Sequence, residues 1–328
     1  GSYTDGLIAR VGTAELAIEV EITAGPVANL NIQPTPVTVN ANNSIQLTAT
    51  PVDRFGNTVS NTSIIWSIEA GGGQINSNGL FTAFSNAGTF VDTIVASGAG
   101  IEQRVTAIVR PSAATRISLS PATIELIPLE EQQIGLMVFD TNDNMIDPSN
   151  VVYAVATGEG LFTVSPTGLV RALQNSGSGS IQVNANGLST QINVNVSPGP
   201  LTQIGVSRTV QNEQIEVQNV LTVTPGQVVE LTAVALDAFE NLIDVQLTWS
   251  TLAEGFGVTN AGVFTAGTVA GTYPNAIRVR HLGVDRLISV EIVAGDPVEL
   301  HIEPSTIIIS PGSSQQLQAY FTDSQGNI

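Results

Sequence analysis

Four times in this chain a strand-like segment ends in the string D-x-x-x-N. It stands at Asp53-Arg54-Phe55-Gly56-Asn57, Asp140-Thr141-Asn142-Asp143-Asn144, Asp237-Ala238-Phe239-Glu240-Asn241 and Asp323-Ser324-Gln325-Gly326-Asn327. The steps between the Asp residues are 87, 97 and 86. A near-constant period of that length means that one structural unit is built again and again. The middle step is long because residues 206–219 (VSRTVQNEQIEVQN) add chain near the start of the third repeat.

Other features keep the same register. Thirteen, thirteen and twelve residues after the first three Asp come Trp66, Tyr153 and Trp249. Each is followed by a G-[L/V]-[F/V]-[T/R]-A string, at Gly79–Ala83, Gly168–Ala172 and Gly262–Ala266. Two alternating segments then close each repeat: Thr93–Ala96 with Arg104–Val109, Ile181–Asn184 with Gln191–Val196, and Ala276–Val279 with Leu287–Ile292. Gly1-Ser2-Tyr3 aligns with Gly88-Thr89-Phe90 and Gly271-Thr272-Tyr273. The expected organisation is therefore 1–24 as the last strands of a partial domain, complete domains at 25–111, 112–198 and 199–294 (the last with the 206–219 insertion), and 295–328 as the first strands of another partial domain. The chain reads as a window within a longer polypeptide.

The local pattern is that of β-structure. Leu47 and Ala49, Ile134 and Leu136, Leu231 and Ala233, and Leu317 and Ala319 recur at two-residue spacing, with Gln, Thr or Glu often between them. That alternation gives a strand with one buried and one wet face. No segment carries a helical period over 11 residues. About seven short strands per repeat, punctuated by 31 Gly and 16 Pro, predict an immunoglobulin-like antiparallel β-sandwich. Within the D-x-x-x-N string, Asp is expected to bond its own backbone two residues on, and Asn to take a positive φ. The recurring Trp or Tyr is expected at the centre of each core. The joints Gly25-Pro26, Arg110-Pro111, Pro198-Gly199-Pro200 and Gly295-Asp296-Pro297 are short and contain Pro, unlike flexible Ser/Gly tethers. Tandem sandwiches arranged end to end as an elongated rod are the expected all-β architecture.

The D-x-x-G-N turn, the pairs Trp66-Ser67 and Trp249-Ser250, and the G-L-F-T-A string together resemble the bacterial immunoglobulin-like (Big) domains of invasin- and intimin-type adhesins and other large surface proteins. The resemblance runs over the whole chain, and the second copy departs most, with Tyr153-Ala154 for Trp-Ser and Val170-Arg171 for Phe-Thr. It implies spacers and stalks, and in some cases tips that bind a receptor or glycan.

Charge and residue usage exclude other classes. The net charge is −18 and all ten basic residues are Arg, so nucleic acid and anionic membrane surfaces are not expected partners. No apolar run reaches the ~18 residues of a spanning helix, so this segment is not expected to insert into a membrane. There are no cysteines and no lysines, which rules out disulfides and Lys–Asn isopeptide cross-links alike. Only 12% of residues are charged, so Thr, Ser, Asn and Gln carry the polar surface.

Catalytic chemistry is not expected, and no catalytic, cofactor-binding or metal residues are assigned. His281 and His301 fall in different repeats without a Ser or Cys motif, and the carboxylates are scattered over turns rather than paired across a cleft. Cofactors are expected to be none, with calcium the one left open, at Asp140–Asp147, where three carboxylates and two amides fall in eight residues. The run lacks the Gly and terminal Glu of an EF-hand loop. Asn42-Asn43-Ser44, Asn61-Thr62-Ser63 and Asn195-Val196-Ser197 match the N-glycosylation pattern, as chance allows in a chain so rich in these residues.

The expected function is structural: a repeat segment of a large extracellular bacterial surface protein, as stalk, fibre or surface-layer component. Its open partners are further copies of itself, through lateral self-association, or a glycan or surface receptor. The alternative is an adhesin module, for which the insertion at 206–219 is the one candidate, and it lacks any aromatic residue.

Overall fold

The computed structural model describes all 328 residues, and they form strands and turns with no helix. The chain packs as two compact units. One comprises Gly1–Ala122, Ile134–Ala154 and Gln182–Ile192, and the other Thr123–Gln133, Val155–Ile181 and Asn193–Ile328.

The first unit opens with a hairpin of β1 (Ser2–Val11) and β2 (Ala14–Glu21). It continues with β3 (Asn29–Gln33), β4 (Val37–Asn40), β5 (Ser44–Gln46), β6 (Thr48–Val52), β7 (Ile65–Ile68), β8 (Gly73–Ile75), β9 (Leu80–Ala83), β10 (Gly88–Gly98) and β11 (Ile101–Arg110). One sheet has the order β4-β11-β10-β7, with β4 parallel to β11 and the other pairs antiparallel. The remaining strands pair as β3-β6 and β5-β9-β8. Alternating residues of the two layers meet in one core that includes Leu30, Ile32, Val37, Leu47, Phe81, Ile94 and Ala107. Each large side chain sealed there contributes roughly 1.5–3 kcal/mol of burial. The same unit holds the sheet Arg116–Ser120, Gly135–Phe139, Met145–Ile146.

In the second unit, Thr123–Leu126 runs parallel to Asn193–Val196, and Glu131–Gln133, Leu169–Ala172 and Phe162–Val164 form a three-stranded sheet. Its largest sandwich lies between residues 203 and 292. Val220–Val223, Val284–Ile292, Gly271–His281 and Thr248–Thr251 make one layer. Val228–Leu236 runs through the other, pairing with Gln203–Val210 along one half and with Val263–Thr265 along the other. Ile204, Leu221, Leu231, Phe264, Ile277 and Ile288 fill the space between them. The chain is thus a tandem of β-sandwiches. Its closing strand pair Glu299–Glu303 with Gln318–Thr322 repeats the pairing of β3 with β6.

The alignment of Tyr3, Phe90 and Tyr273 has a physical counterpart. After each aromatic the ladder slips, between Tyr3 and Leu7, Phe90 and Ile94, and Tyr273 and Ile277. Asp5, Asp92 and Asn275 take positive φ at those slips. Asp and Asn tolerate that conformation better than other side chains, so the bulge is written into the sequence at the same place each time.

The core centre differs from expectation. Phe81 and Phe264 are fully buried, whereas Trp66 and Trp249 are half-buried and pack against the core from its margin. The reason is topological. Trp66 sits on β7, the edge strand of its sheet, while Phe81 sits on β9, flanked by β5 and β8. The Trp ring instead lies over the turn that leads into the Phe strand. A Cβ on Gly79 would stand 3.1 Å from Trp66 Nε1 and 2.6 Å from the Leu47 carbonyl.

Candidate functional site

The four D-x-x-x-N turns are built alike. In each, one carboxylate oxygen of Asp accepts the backbone N–H groups two and four residues on. For Asp53 these are Phe55 at 2.8 Å and Asn57 at 2.9 Å, and Asp140, Asp237 and Asp323 repeat the pair at the same distances. The left-handed residue is the one before the Asn (Gly56, Asp143, Glu240 and Gly326), not the Asn itself as expected. The backbone N–H of each Asp closes the turn onto the Asn carbonyl.

The second carboxylate oxygen faces the joint. It accepts the N–H of the linker residue that begins its own repeat: Gly25 at 3.0 Å, Ser112 at 2.9 Å, Gly199 at 2.7 Å and Gly295 at 2.9 Å. It also accepts the side-chain amide of the turn Asn, at 3.0, 2.9, 2.8 and 2.9 Å in order along the chain. All four Asp side chains are buried. A buried carboxylate is tolerable only when its oxygens are satisfied, and here each is.

The Asn side chain does something the sequence pattern alone does not announce. It reaches back to the loop that follows the G-x-F-T-A strand of the preceding repeat. Asn144 donates to the Ser85 carbonyl at 2.7 Å and accepts the Ala87 N–H at 2.8 Å. Asn241 does the same to Gln174 and Ser176, both at 2.7 Å. Asn327 repeats it with Thr268 at 3.0 Å and Ala270 at 2.7 Å. A carboxamide carries one acceptor oxygen and two N–H donors. It therefore pairs with a C=O and an N–H two residues apart as a neighbouring strand would. Asp would set an oxygen against the loop carbonyl, and Gln would overreach. The clue available in the sequence was that the fifth position stays Asn in all four copies while the three before it vary.

These contacts hold the carboxylates below the ordinary range. At Asp53 and Asp323 the amide of Asn57 or Asn327 is the largest influence, followed by burial and the linker N–H in differing order, and the net direction is downward. At Asp140 and Asp237 burial is the largest influence and pushes upward. The Asn amide and three backbone N–H groups outweigh it, so both are lowered.

The other candidates disperse. Asp140 is turned into the joint, Asp143 pairs with Arg116 at 2.7 Å, and Asp147 is exposed. The three carboxylates of that run do not converge, and no group of three or more His, Asp or Glu suited to a metal occurs in the chain. His281 Nδ1 lies 2.9 Å from the Gln246 carbonyl, and His301 stacks on Tyr320 with Nε2 2.9 Å from Thr322 Oγ1. Asn42 and Asn61 are exposed turn residues with positive φ, while Asn195 bonds Glu125 and Ser178. The insertion forms a hairpin of Gln203–Val210 and Glu213–Glu216 that adds an exposed edge strand. No helix is long and apolar enough to cross a membrane.

No family model and no curated protein matches the sequence. Among solved structures, the Escherichia coli adhesin FdeC is similar at 16% identity over 83% of this chain and all of that one, with a TM-score of 0.44. Domains 1–6 of the surface-layer protein SbsC are similar at 16% identity, TM-score 0.30, over 99% of this chain and 48% of that one. The extracellular domain of protocadherin GammaB4 is similar at 15% identity, TM-score 0.45, over 89% of this chain and 56% of that one. The chain thus spans about half the length of the surface-layer and protocadherin fragments.

Proposed function

We propose that the chain is a structural repeat segment of a large extracellular bacterial surface protein, of the bacterial immunoglobulin-like type, with repeats at 25–111, 112–198 and 199–294. It works as a spacer in a stalk, fibre or surface layer and performs no chemistry. One observation carries the reading. At three successive positions the same Asn ties the same loop of the preceding repeat by a paired hydrogen bond, while the adjacent Asp ties the linker. A carboxylate whose lone pairs face N–H donors is unavailable for acid–base work or for a cation, but it is well suited to fixing a joint. Fixing each repeat on the next is what a spacer requires of its sequence.

Small-angle X-ray scattering tests this directly. An extended particle is expected, whose flexibility rises when Asn144 and Asn241 are both replaced by Ala. A radius of gyration near the ~20 Å of a compact globule of this length would overturn the proposal.

A further inference from the structure

Three of the four turn asparagines are occupied, and one is not. Asn144, Asn241 and Asn327 each hold a loop, whereas Asn57 makes a single side-chain bond, to Asp53, and is exposed. Everything else about its turn is in place. Asp53 holds Gly25, Phe55, Asn57 and the Asn57 amide at the distances seen in its sisters. Beside it, Phe55 is 73% exposed with the Arg54 guanidinium 4.4 Å above its ring. Phe239, the matching residue where the turn is occupied, is half-buried. Pro26, Val27, Ala28 and Phe55 line a cavity of about 420 Å³ next to the turn.

We propose that the Asn57 turn is a docking site for the backbone of an extended loop, supplied by a further repeat of this same kind. The inference rests on the joint reading above. The three occupied turns define the ligand: a carbonyl and an N–H two residues apart, on side chains as unlike as Ser85 and Ala87, Gln174 and Ser176, or Thr268 and Ala270. Recognition is therefore of main chain, and any repeat whose loop is not already clamped presents it. The loops within this chain are each held by their own Asn, so the occupant is an additional repeat.

The test is a chain in which residues 25–111 are duplicated directly ahead of Gly25 in place of 1–24. Pro111 then precedes Gly25 as it precedes Ser112 in the parent. Amide exchange reads the result. In the added copy the Ala87 amide should be as protected as the original Ala87, and Asn57→Ala should speed its exchange by about tenfold or more. Asn57→Asp, which keeps the turn but opposes the loop carbonyl with a carboxylate oxygen, should do the same. Asn144→Ala, acting on the original Ala87, is the control. If it speeds exchange while the Asn57 variants do not, the inference falls alone. If neither speeds exchange, the joint reading falls with it. Dimerisation of the unextended chain that Asn57→Ala abolishes would assign the face to a second molecule and also overturn the inference.

Discussion

Asn241 Nδ2 stands 2.8 Å from Asp237 Oδ2 and also 2.7 Å from the Gln174 carbonyl. One amide thus serves the turn of its own repeat and the loop of the repeat before. Removing it leaves the Gln174 carbonyl and the Ser176 N–H without this partner in a partly buried setting. Asn241→Ala is expected to cost about 1–3 kcal/mol in chemical denaturation and to release the Ser176 amide to exchange. Asn57→Ala loses one part-buried bond, to Asp53, and no loop contact, and should cost less. Equal costs would contradict the joint.

The acid limb of stability should carry the signature of these turns. Asp140 and Asp237 have folded values below their unfolded values. A depressed carboxylate contributes stability above its unfolded value, near 3.9, and that contribution is lost as pH falls through the folded value. The melting temperature should accordingly be insensitive to these groups from about pH 5 upward and fall below about pH 4. The deficit of Asp237→Asn relative to the parent should shrink on going from pH 6 to pH 3. A deficit that stays constant would exclude a charged Asp237 as the source.

Core energetics should follow Phe81 rather than Trp66. Phe81 is sealed between the layers and Trp66 is half-buried at an edge. Phe81→Ala is expected to cost about 3–5 kcal/mol, and Trp66→Ala less. Denaturation midpoints of the two variants decide the order, and a larger loss for Trp66→Ala would reverse the assignment.

Gly262 and Gly226 both adopt positive φ, at 84° and 73°. A Cβ on Gly262 would meet the Leu231 carbonyl at 2.2 Å, whereas nothing lies within 4 Å of one on Gly226. Gly226→Ala should therefore cost only the left-handed strain of about 1–2 kcal/mol, and Gly262→Ala distinctly more. Thermal unfolding of the pair is the measurement, and equal shifts would count against the contact.

Chelation should leave the melting temperature unchanged. Asp140 already accepts N–H bonds from Ser112, Asn142 and Asn144, which point protons where a cation would need oxygen lone pairs. A fall in melting temperature with EDTA, restored by calcium, would overturn this expectation.

The period and the β character were legible because both are local and repeated. Alternation at Leu47 and Ala49 or Leu231 and Ala233 needs no partner to be recognised, and a spacing of 87 residues needs only a second copy. The turn was half legible. Asp bonding the backbone two residues on is a property of Asp itself, but the positive φ fell on the residue before Asn.

The sequence by itself determined that one sandwich recurs, with turns at fixed places and without disulfide, isopeptide or helical support. Two matters were decided only by the tertiary structure. Whether Trp66 or Phe81 occupies the core centre depends on which strand has neighbours on both sides, and strand order is not written in any one strand. What Asn144 does depends on Ser85 and Ala87, more than fifty residues away, because a hydrogen bond is made by proximity in space. The fourfold Asn recorded that a task existed, and the fold placed three of the four, Asn144, Asn241 and Asn327, on a loop of the preceding repeat.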